Sequence, residues 1–184
     1  LKKISEKDCV VVADYGHGLM SEDVRRIVEK NARNLAVNVQ ANAGNRGFNT
    51  ITKYTQMDLM CLNGAEFQLE LRSSNPDYFG LIPQYMEKLG SKYAIVTLGG
   101  DGMLVFDNKG NFTNPPAFAG KVVDKVGAGD SVLAIASLLA SVEAPIEIIG
   151  LLASIVAAHE VGQLGHQDSI SKVDLQKSVR AILG

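Results

Sequence analysis

Short apolar runs alternate along this chain with longer amphipathic stretches, and this alternation constrains the fold more than any other feature. It is typical of βαβ units, in which helices connect parallel strands and cover the faces of the sheet. Strands are predicted near residues 8–13, 34–39, 58–62, 93–98, 103–107 and 121–123. The run at 93–98 is almost continuously apolar, which suits a strand that is buried on both faces.

Helices are predicted between these strands, with boundaries set by capping residues. The predicted ranges are 21–33, 63–70, 76–89, 129–142, 145–161 and 172–182. Ser21 is a favourable N-cap, and Pro145 suits the start of a helix. The glycines within 99–102 and the turn at 107–110 predict an antiparallel pair of strands at one edge of the sheet. Residues 41–56 show no clear periodicity and are predicted to form a long loop.

The composition excludes several classes of protein. Eighteen Lys and Arg residues are balanced by 20 Asp and Glu residues, and the net charge of −2 predicts no binding to nucleic acid or to an anionic membrane. No apolar run approaches the roughly 20 residues of a membrane span. Cys9 and Cys61 each lie in an apolar run, which predicts reduced core residues and a cytoplasmic protein. The histidines lack metal-ligand spacing, so no structural zinc is predicted.

Polar residues end several of the predicted strands. Asp14, Asn63, Thr97 and Asp124 each follow an apolar run directly. In open α/β sheets, ligands bind beyond the carboxyl ends of the strands. We therefore expect these four residues to meet at one edge of the sheet and to form a single site.

Residues 127–130, which read Gly-Ala-Gly-Asp, are predicted to open a helix. The first amides of a helix are unpaired, and the glycines let an anion such as phosphate approach them. Asp130, on the first turn, would then accept a proton from a hydroxyl that attacks this phosphate. From these residues alone, an ordinary strand-to-helix turn with Asp130 as a cap is the alternative.

Three motifs resemble those of one enzyme family. Residues 124–130, D-K-V-G-A-G-D, resemble the D-T-x-G-A-G-D signature of ribokinase-type (PfkB) carbohydrate kinases. Residues 63–66, N-G-A-E, resemble the N-x-x-E motif of that family, and residues 97–102, T-L-G-G-D-G, resemble its T-x-G-x-x-G element. Within the family, residues 14–18 and 161–165 are most similar to the kinase domain of heptose-7-phosphate kinase/heptose-1-phosphate nucleotidyltransferase proteins.

This resemblance implies a ribokinase-like fold, which is a three-layer α/β/α arrangement with a mostly parallel sheet and an antiparallel edge. It implies that residues 1–184 are the C-terminal, nucleotide-binding part of a single carbohydrate-kinase domain. The chain begins at Leu1 rather than Met and reaches a predicted strand almost at once. We therefore expect a domain truncated at the N-terminus, without the N-terminal sugar-binding part and lid of the family.

The resemblance also implies ATP and Mg²⁺ as cofactors and assigns roles around the transferred phosphate. The backbone amides of Gly127, Ala128 and Gly129 would stabilise the γ-phosphoryl group as it moves. Asp130 would deprotonate the attacking sugar hydroxyl as the general base.

Two further residues, Asn63 and Glu66, would hold Mg²⁺ through water molecules, because this ion keeps much of its hydration shell. From the residues alone, the same pair fits equally well as a capping box at the start of a helix. The resemblance assigns a further set to the nucleotide: Thr97, Gly99, Gly102, Asp124, Lys125 and Ser154.

The sugar side of the predicted site comprises Asp14, His17 and Arg46. This is where the chain departs most from the family pattern. Lys125 replaces the usual Thr, and residues 39–47 lack the Asp-Pro-Lys that the heptose kinases show there. Arg46 would take the place of that Lys as a phosphate contact, and an exposed loop arginine without this role is the alternative.

These features predict an ATP-dependent sugar kinase that phosphorylates a hydroxyl of a sugar or sugar phosphate, such as a heptose phosphate. The resemblance allows a homodimer and a fused nucleotidyltransferase domain in the full-length protein. A degenerate, non-catalytic domain that binds nucleotide or sugar phosphate and regulates a larger nucleotidyltransferase chain is the alternative. A nicotinamide-dependent dehydrogenase is disfavoured, because Val132 occupies the third glycine position of its motif, and no P-loop sequence is present.

Overall fold

The strands form one sheet whose order follows the chain. The computed structural model describes residues 2–120, 122–124, 126–163 and 169–184. Its strands are β1 (Val10–Asp14), β2 (Leu35–Val39), β3 (Leu59–Asn63), β4 (Tyr93–Thr97), β5 (Met103–Asp107) and β6 (Phe112–Thr113). The first four are parallel, whereas β5 pairs antiparallel with both β4 and β6. The predicted α/β fold with an antiparallel edge is confirmed.

Each predicted helix is present, with ends that differ by a few residues. The helices are α1 (Lys2–Ser5), α2 (Glu22–Asn31), α3 (Gly64–Leu71), α4 (Tyr78–Lys88), α5 (Ala128–Ser141), α6 (Ile146–Val161) and α7 (Lys172–Leu183). Ser21 caps α2 as predicted, because its side chain accepts a hydrogen bond from the amide of Val24. The sequence patterns missed α1 and two short 3₁₀ helices, Ile51–Lys53 and Gly99–Asp101.

The predicted strand at 121–123 is wrong where the structure describes it. The amides of Val123 and Asp124 donate to the carbonyl of Val161 at the end of α6, at 2.7 and 3.2 Å. Lys121 lies outside the described residues. The free edge of β5 is instead paired by β6, which follows at once through a tight turn stabilised by the carboxylate of Asp107. The local hairpin forms because its two strands are close in sequence.

Two cores cover the two faces of the sheet. One lies beneath α2, α3 and α4 and includes Val28, Phe67 and Met86. The other lies beneath α5 and α6 and includes Leu133 and Ile149. The sheet is therefore the middle layer of three, as predicted, and its carboxyl edge stays accessible between the helices. Within the described ranges, none of the helices combines the length and apolarity that crossing a membrane requires.

Candidate active site

The carboxyl ends of β1 to β4 place most of the predicted residues along one edge of the sheet. Asn63 and Thr97 are paired neighbours at the ends of β3 and β4. Asp14 ends β1 opposite Val39, which ends β2. Tyr15 and Gln40, the next residue after each strand, therefore follow at the same edge. Side-chain contacts bring the start of α5 to this edge as well.

Gly127 is the N-cap of α5 and has a φ of 87°, which a residue with a side chain rarely adopts. Among the described residues, no side chain caps this helix end. The first amides of α5 are therefore available to an anion, as the glycine pattern predicts. Asp124 stabilises the chain just before α5, because its Oδ1 accepts a 2.9 Å hydrogen bond from the amide of Val126. Lys125 lies outside the described residues.

The carboxylate of Asp130 is held from two sides. The hydroxyl of Tyr15 donates to Oδ2 at 3.0 Å, and Nε2 of Gln40 donates to Oδ1 at 2.9 Å. The hydrogen bond to Asp130 is the main reason that the pKa of Tyr15 is raised. Asp130 is thus oriented by the loops that follow β1 and β2, and neither donor was among the predicted site residues.

Asn63 and Glu66 form the capping box of α3. Oδ1 of Asn63 accepts from the amide of Glu66, and Oε2 of Glu66 accepts from the amide of Asn63, both at 2.8 Å. Burial raises the pKa of Glu66, and the nearby negative charge of Asp130 adds to this increase, while hydrogen bonds to the carboxylate oppose it. The predicted capping box is therefore present. The Glu66 carboxylate also lies close enough to Asp130 for the two negative charges to interact.

Asn38 is a buried polar residue of β2 on the same side of the sheet as α5. Its Nδ2 donates to the carbonyl of Cys61 at 2.9 Å, and its amide also lowers the pKa of Glu66 by hydrogen bonding. Its Oδ1 is buried and has no hydrogen-bond partner among the described residues. Buried acceptors are nearly always satisfied in proteins, so this atom marks a position that suits a water molecule or a hydrated ion.

Asp14 lies beneath the site rather than on its surface. Its carboxylate is only 3% exposed and accepts hydrogen bonds from Tyr54 at 2.7 Å and from the amide of Gly16 at 2.9 Å. Nζ of Lys53 lies 2.6 Å from the same group. Burial alone would raise the pKa of Asp14, but these three donors hold it below its ordinary value. This geometry favours support of the loop over direct contact with a sugar.

The loop at 41–49, which has no periodicity in the sequence, is held in place by asparagines. Asn42 and Asn45 donate to the carbonyl of Tyr15 at 2.8 and 2.7 Å, and Asn49 donates to the carbonyl of Asp14 at 2.7 Å. His17 joins this network through Asn42, whose Nδ2 lies 3.2 Å from Nε2 of the histidine. Arg46 is exposed on the same loop. His17 and Arg46 therefore stand at the surface of the predicted sugar side.

A cavity of about 440 Å³ lies beside the start of α5. Of the predicted site residues, it is lined by Asn63, Thr97, Gly99, Gly102, Ala128, Gly129 and Ser154. Gly102 has a φ of 84°, and a Cβ there would lie 2.2 Å from the carbonyl oxygen of Pro115. The glycine is therefore needed for the close approach of two backbone segments.

Ser154 lies in the wall of this cavity, on α6. Its side chain is 2% exposed, and its Oγ has no hydrogen-bond partner among the described residues. An unsatisfied buried hydroxyl costs free energy unless a ligand or water completes it. A second cavity, of about 670 Å³, adjoins Asp130 and Gly127 and extends between α5, α6 and α7.

Tyr15, Gln40 and Asn38 are the site residues that sequence reasoning missed. A positional signal was available for the first two, since each directly follows the last residue of a parallel strand. Asn38 carried a different signal, which is a polar side chain inside an otherwise apolar strand.

Solved structures with the same architecture include a phosphofructokinase-2 and a ribokinase. The phosphofructokinase-2 mutant Y23D from Escherichia coli superposes with a TM-score of 0.77 at 17% identity, covering 100% of this chain and 60% of the other. Ribokinase from Arabidopsis thaliana, solved with ribose and ATP, gives a TM-score of 0.75 at 17% identity, covering 96% and 57%. The fold is therefore ribokinase-like.

The sequence comparison assigns the family. Residues 4–173 match the model of the pfkB family of carbohydrate kinases, and the chain belongs to this family of phosphotransferases. Bifunctional protein HldE from Campylobacter jejuni subsp. jejuni serotype O:6 is 31% identical over 193 residues, which cover 98% of this chain and 40% of that protein. Bifunctional protein HldE from Helicobacter hepaticus is 28% identical over 183 residues, covering 95% and 37%. The chain thus spans about two fifths of the length of these relatives.

Proposed function

We propose that this chain is the nucleotide-binding and catalytic part of an ATP-dependent sugar kinase, with Asp130 as the general base. The observation that carries the proposal is the position of Asp130. Its carboxylate lies on the first turn of α5, directly beside the uncapped amides of that helix, and is oriented by Tyr15 and Gln40. A base and an anion-binding helix end thus adjoin one another, as phosphoryl transfer requires.

The cavity of about 440 Å³ is the proposed nucleotide site. The amides at the start of α5 would contact the phosphates, and the glycines at 99–102 would allow the nucleotide close to the backbone. The hydroxyl of Ser154 would form a hydrogen bond with the adenine base of the nucleotide or with a bound water. These assignments are supported by the family and by the shared lining of one cavity.

The residues present fit a hydrated Mg²⁺ ion. This ion prefers oxygen ligands and keeps several of its waters, and both the Glu66 carboxylate and the unsatisfied Oδ1 of Asn38 are oxygen acceptors. When bound, Mg²⁺ would neutralise charge on the phosphates. Asn63 would act indirectly, because its Oδ1 is used in capping α3 and orients Glu66.

A sugar or sugar phosphate is the proposed acceptor. A heptose phosphate is the specific candidate, because residues 14–18 and 161–165 resemble those of heptose-7-phosphate kinase domains. His17 and Arg46 would contact its phosphate from the surface of the loops. Asp14 would fix the loop conformation from below. We also propose that residues 1–184 belong to a single kinase domain, with a nucleotidyltransferase domain elsewhere in the full-length protein.

A regulatory domain without catalysis is the second candidate. It is favoured by residues 39–47, where Gln40 follows β2 and asparagines occupy the loop in place of the Asp-Pro-Lys of heptose kinases. Such a domain would bind nucleotide or sugar phosphate but would not transfer the phosphoryl group.

Asp130→Asn in the full-length protein separates the two candidates. The amide keeps the size of the side chain but cannot take a proton, so transfer from ATP to a heptose phosphate is expected to fall by about 10²-fold or more. Calorimetry should show that Mg·ADP still binds. Asp23→Asn, which removes an exposed acid from the first turn of α2, is the matched control and should change neither quantity.

Turnover of Asp130→Asn within about threefold of the unmodified protein would remove Asp130 from the mechanism. Absence of transfer by the unmodified protein, together with measurable Mg·ADP binding, would favour the regulatory candidate.

A further inference from the structure

Both oxygens of the Asp130 carboxylate already accept a hydrogen bond from the chain itself. The two donors differ in their surroundings. The bond from Gln40 is partly buried, whereas the bond from Tyr15 is exposed and the Tyr15 residue is 42% accessible to solvent. Tyr15 is therefore the donor that a ligand can displace.

The hydroxyl of Tyr15 makes the contact that an acceptor hydroxyl would make. An O–H group 3.0 Å from Oδ2 of Asp130 has the chemistry and the distance of a hydroxyl poised for deprotonation. Tyr15 keeps its proton in this position, because the hydrogen bond to Asp130 raises its pKa. The Tyr15 hydroxyl thus forms a hydrogen bond with Oδ2 of Asp130 without transferring its proton, so the carboxylate can still act as a base.

The backbone of Tyr15 is fixed while its side chain is not enclosed. Its carbonyl accepts hydrogen bonds from Asn42 and Asn45, and Gly16 follows with a φ of 71°. The ring faces His17 at a centroid distance of 6.4 Å, which is a loose contact. A change of side-chain rotamer would release Asp130 without moving the loop.

We propose that Tyr15 is a specificity-determining residue whose hydroxyl covers the base Asp130 until a sugar hydroxyl displaces it, and so keeps water from being activated in its place. The inference rests on the proposed function.

With a sugar bound, Oδ2 takes the proton of the sugar hydroxyl, the sugar oxygen bonds to the γ-phosphorus, and the bond from that phosphorus to the bridging oxygen of ADP breaks. With water in the same place, the identical exchange would yield ADP and inorganic phosphate. A sugar held by many contacts can displace Tyr15, whereas a single water molecule competes poorly with a tethered hydroxyl.

Tyr15→Phe tests this proposal, because it removes the hydroxyl and keeps the ring. ATP hydrolysis without sugar, measured as phosphate release by the full-length protein, is expected to rise by about fivefold or more, the effect of losing one hydrogen bond. Because Tyr15 is also one of the two donors that orient Asp130, sugar phosphorylation is expected to fall in part, and the ratio of ATP hydrolysis to sugar phosphorylation is expected to rise by about fivefold or more. Tyr93→Phe, which changes a tyrosine at the opposite end of β4 from Thr97, is the control and should leave both rates unchanged.

Two results would overturn the proposal. Unchanged ATP hydrolysis in Tyr15→Phe would show that the hydroxyl does not exclude water. A fall in sugar phosphorylation without a rise in hydrolysis would show that Tyr15 only orients the base. Tyr15→Leu also lacks the hydroxyl and must reproduce the increase, which guards against an effect of one replacement on folding.

Asp130→Asn distinguishes failure of this inference from failure of the proposed function. If it lowers sugar phosphorylation while Tyr15→Phe leaves hydrolysis unchanged, only the role of Tyr15 is wrong. If Asp130→Asn leaves phosphorylation unchanged, the assignment of the base is wrong as well.

Discussion

Tyr54 donates a 2.7 Å hydrogen bond to the buried carboxylate of Asp14, across 40 positions of sequence. The bond joins the end of β1 to the segment after the 3₁₀ helix Ile51–Lys53. Because the loop that carries Tyr15 starts at Asp14, this buried contact supports the position of the residue that reaches Asp130. The predicted loop at 41–56 therefore contributes a buried contact that supports the site, while Arg46 on the same loop is exposed.

Tyr54→Phe is expected to lower the free energy of unfolding by about 1–2 kcal/mol at pH 7, since it leaves a buried carboxylate with one donor fewer. The folded-state pKa of Asp14 is lowered, so its stabilising contribution is present above its ordinary pKa of about 4 and is lost as the pH falls through the folded value. The difference in the free energy of unfolding between the unmodified protein and Tyr54→Phe should therefore become smaller as the pH falls through the folded-state pKa of Asp14.

Urea unfolding across this pH range measures the effect of Tyr54→Phe. Tyr85→Phe keeps a ring that packs edge-on against Phe67 and serves as the control. A difference that stays constant with pH would show that the bond does not depend on ionised Asp14.

The two glycines at the start of α5 should respond differently to alanine. Gly127→Ala forces a side chain to a φ of 87° and is expected to cost about 1–2 kcal/mol of stability. A Cβ at Gly129 would meet no atom within 4 Å among the described residues, so Gly129→Ala should keep or slightly raise stability. It should nevertheless weaken Mg·ADP binding, because the Cβ projects where the phosphates are proposed to lie.

Thermal unfolding and calorimetry with Mg·ADP measure the two effects separately. Unaltered nucleotide affinity in Gly129→Ala would place the phosphates away from the start of α5.

Ser154→Ala removes a buried hydroxyl that has no partner among the described residues. We expect equal or greater stability, because no hydrogen bond is lost and a desolvated polar group is removed. Ser137→Ala on α5 is the matched control, since that hydroxyl is equally buried but donates to the carbonyl of Ala134 at 2.9 Å. The control should be less stable by about 1 kcal/mol.

Nucleotide affinity decides the role of Ser154. If the Ser154 hydroxyl forms a hydrogen bond with the adenine base, Ser154→Ala is expected to lower Mg·ADP affinity by about fivefold. Ser137→Ala should leave this affinity unchanged. Equal affinity in both variants would assign Ser154 to the cavity wall alone.

Mg²⁺ affinity should depend on pH through Glu66. Burial, with the charge of Asp130 added, raises the pKa of this carboxyl, and a cation favours its ionised form. Binding of Mn²⁺ with ADP, followed by electron paramagnetic resonance, should therefore weaken as the pH falls through this raised pKa.

Glu66→Gln is expected to remove that pH dependence and to weaken Mn²⁺ binding about tenfold or more, while Gln still serves the capping box. Glu147→Gln, an exposed position on the first turn of α6, is the control. Retention of the full pH dependence in Glu66→Gln would exclude Glu66 as the titrating group.

Local sequence patterns determined most of the helices and strands of this protein. Apolar runs, helix caps and turn glycines act over a few residues, so β1 to β5, helices α2 to α7 and the capping box of Asn63 and Glu66 could all be predicted. The strand at 121–123 was predicted wrongly for the same reason, because its apolar residues satisfy the local pattern while Val123 bonds to the end of α6 instead.

The tertiary structure alone decided how the motifs act on one another. Tyr15 and Asp130 lie 115 residues apart, and Gln40 and Asp130 lie 90 apart, so their contacts depend on how the strand order brings separate loops to one edge. Burial is likewise a property of the folded chain: Asp14, a predicted sugar contact, is 3% exposed, and we propose that it supports the loop from below. Local propensity specifies strands and helices, whereas desolvation and long-range hydrogen bonds, which arise only on packing, specify the state of each site residue.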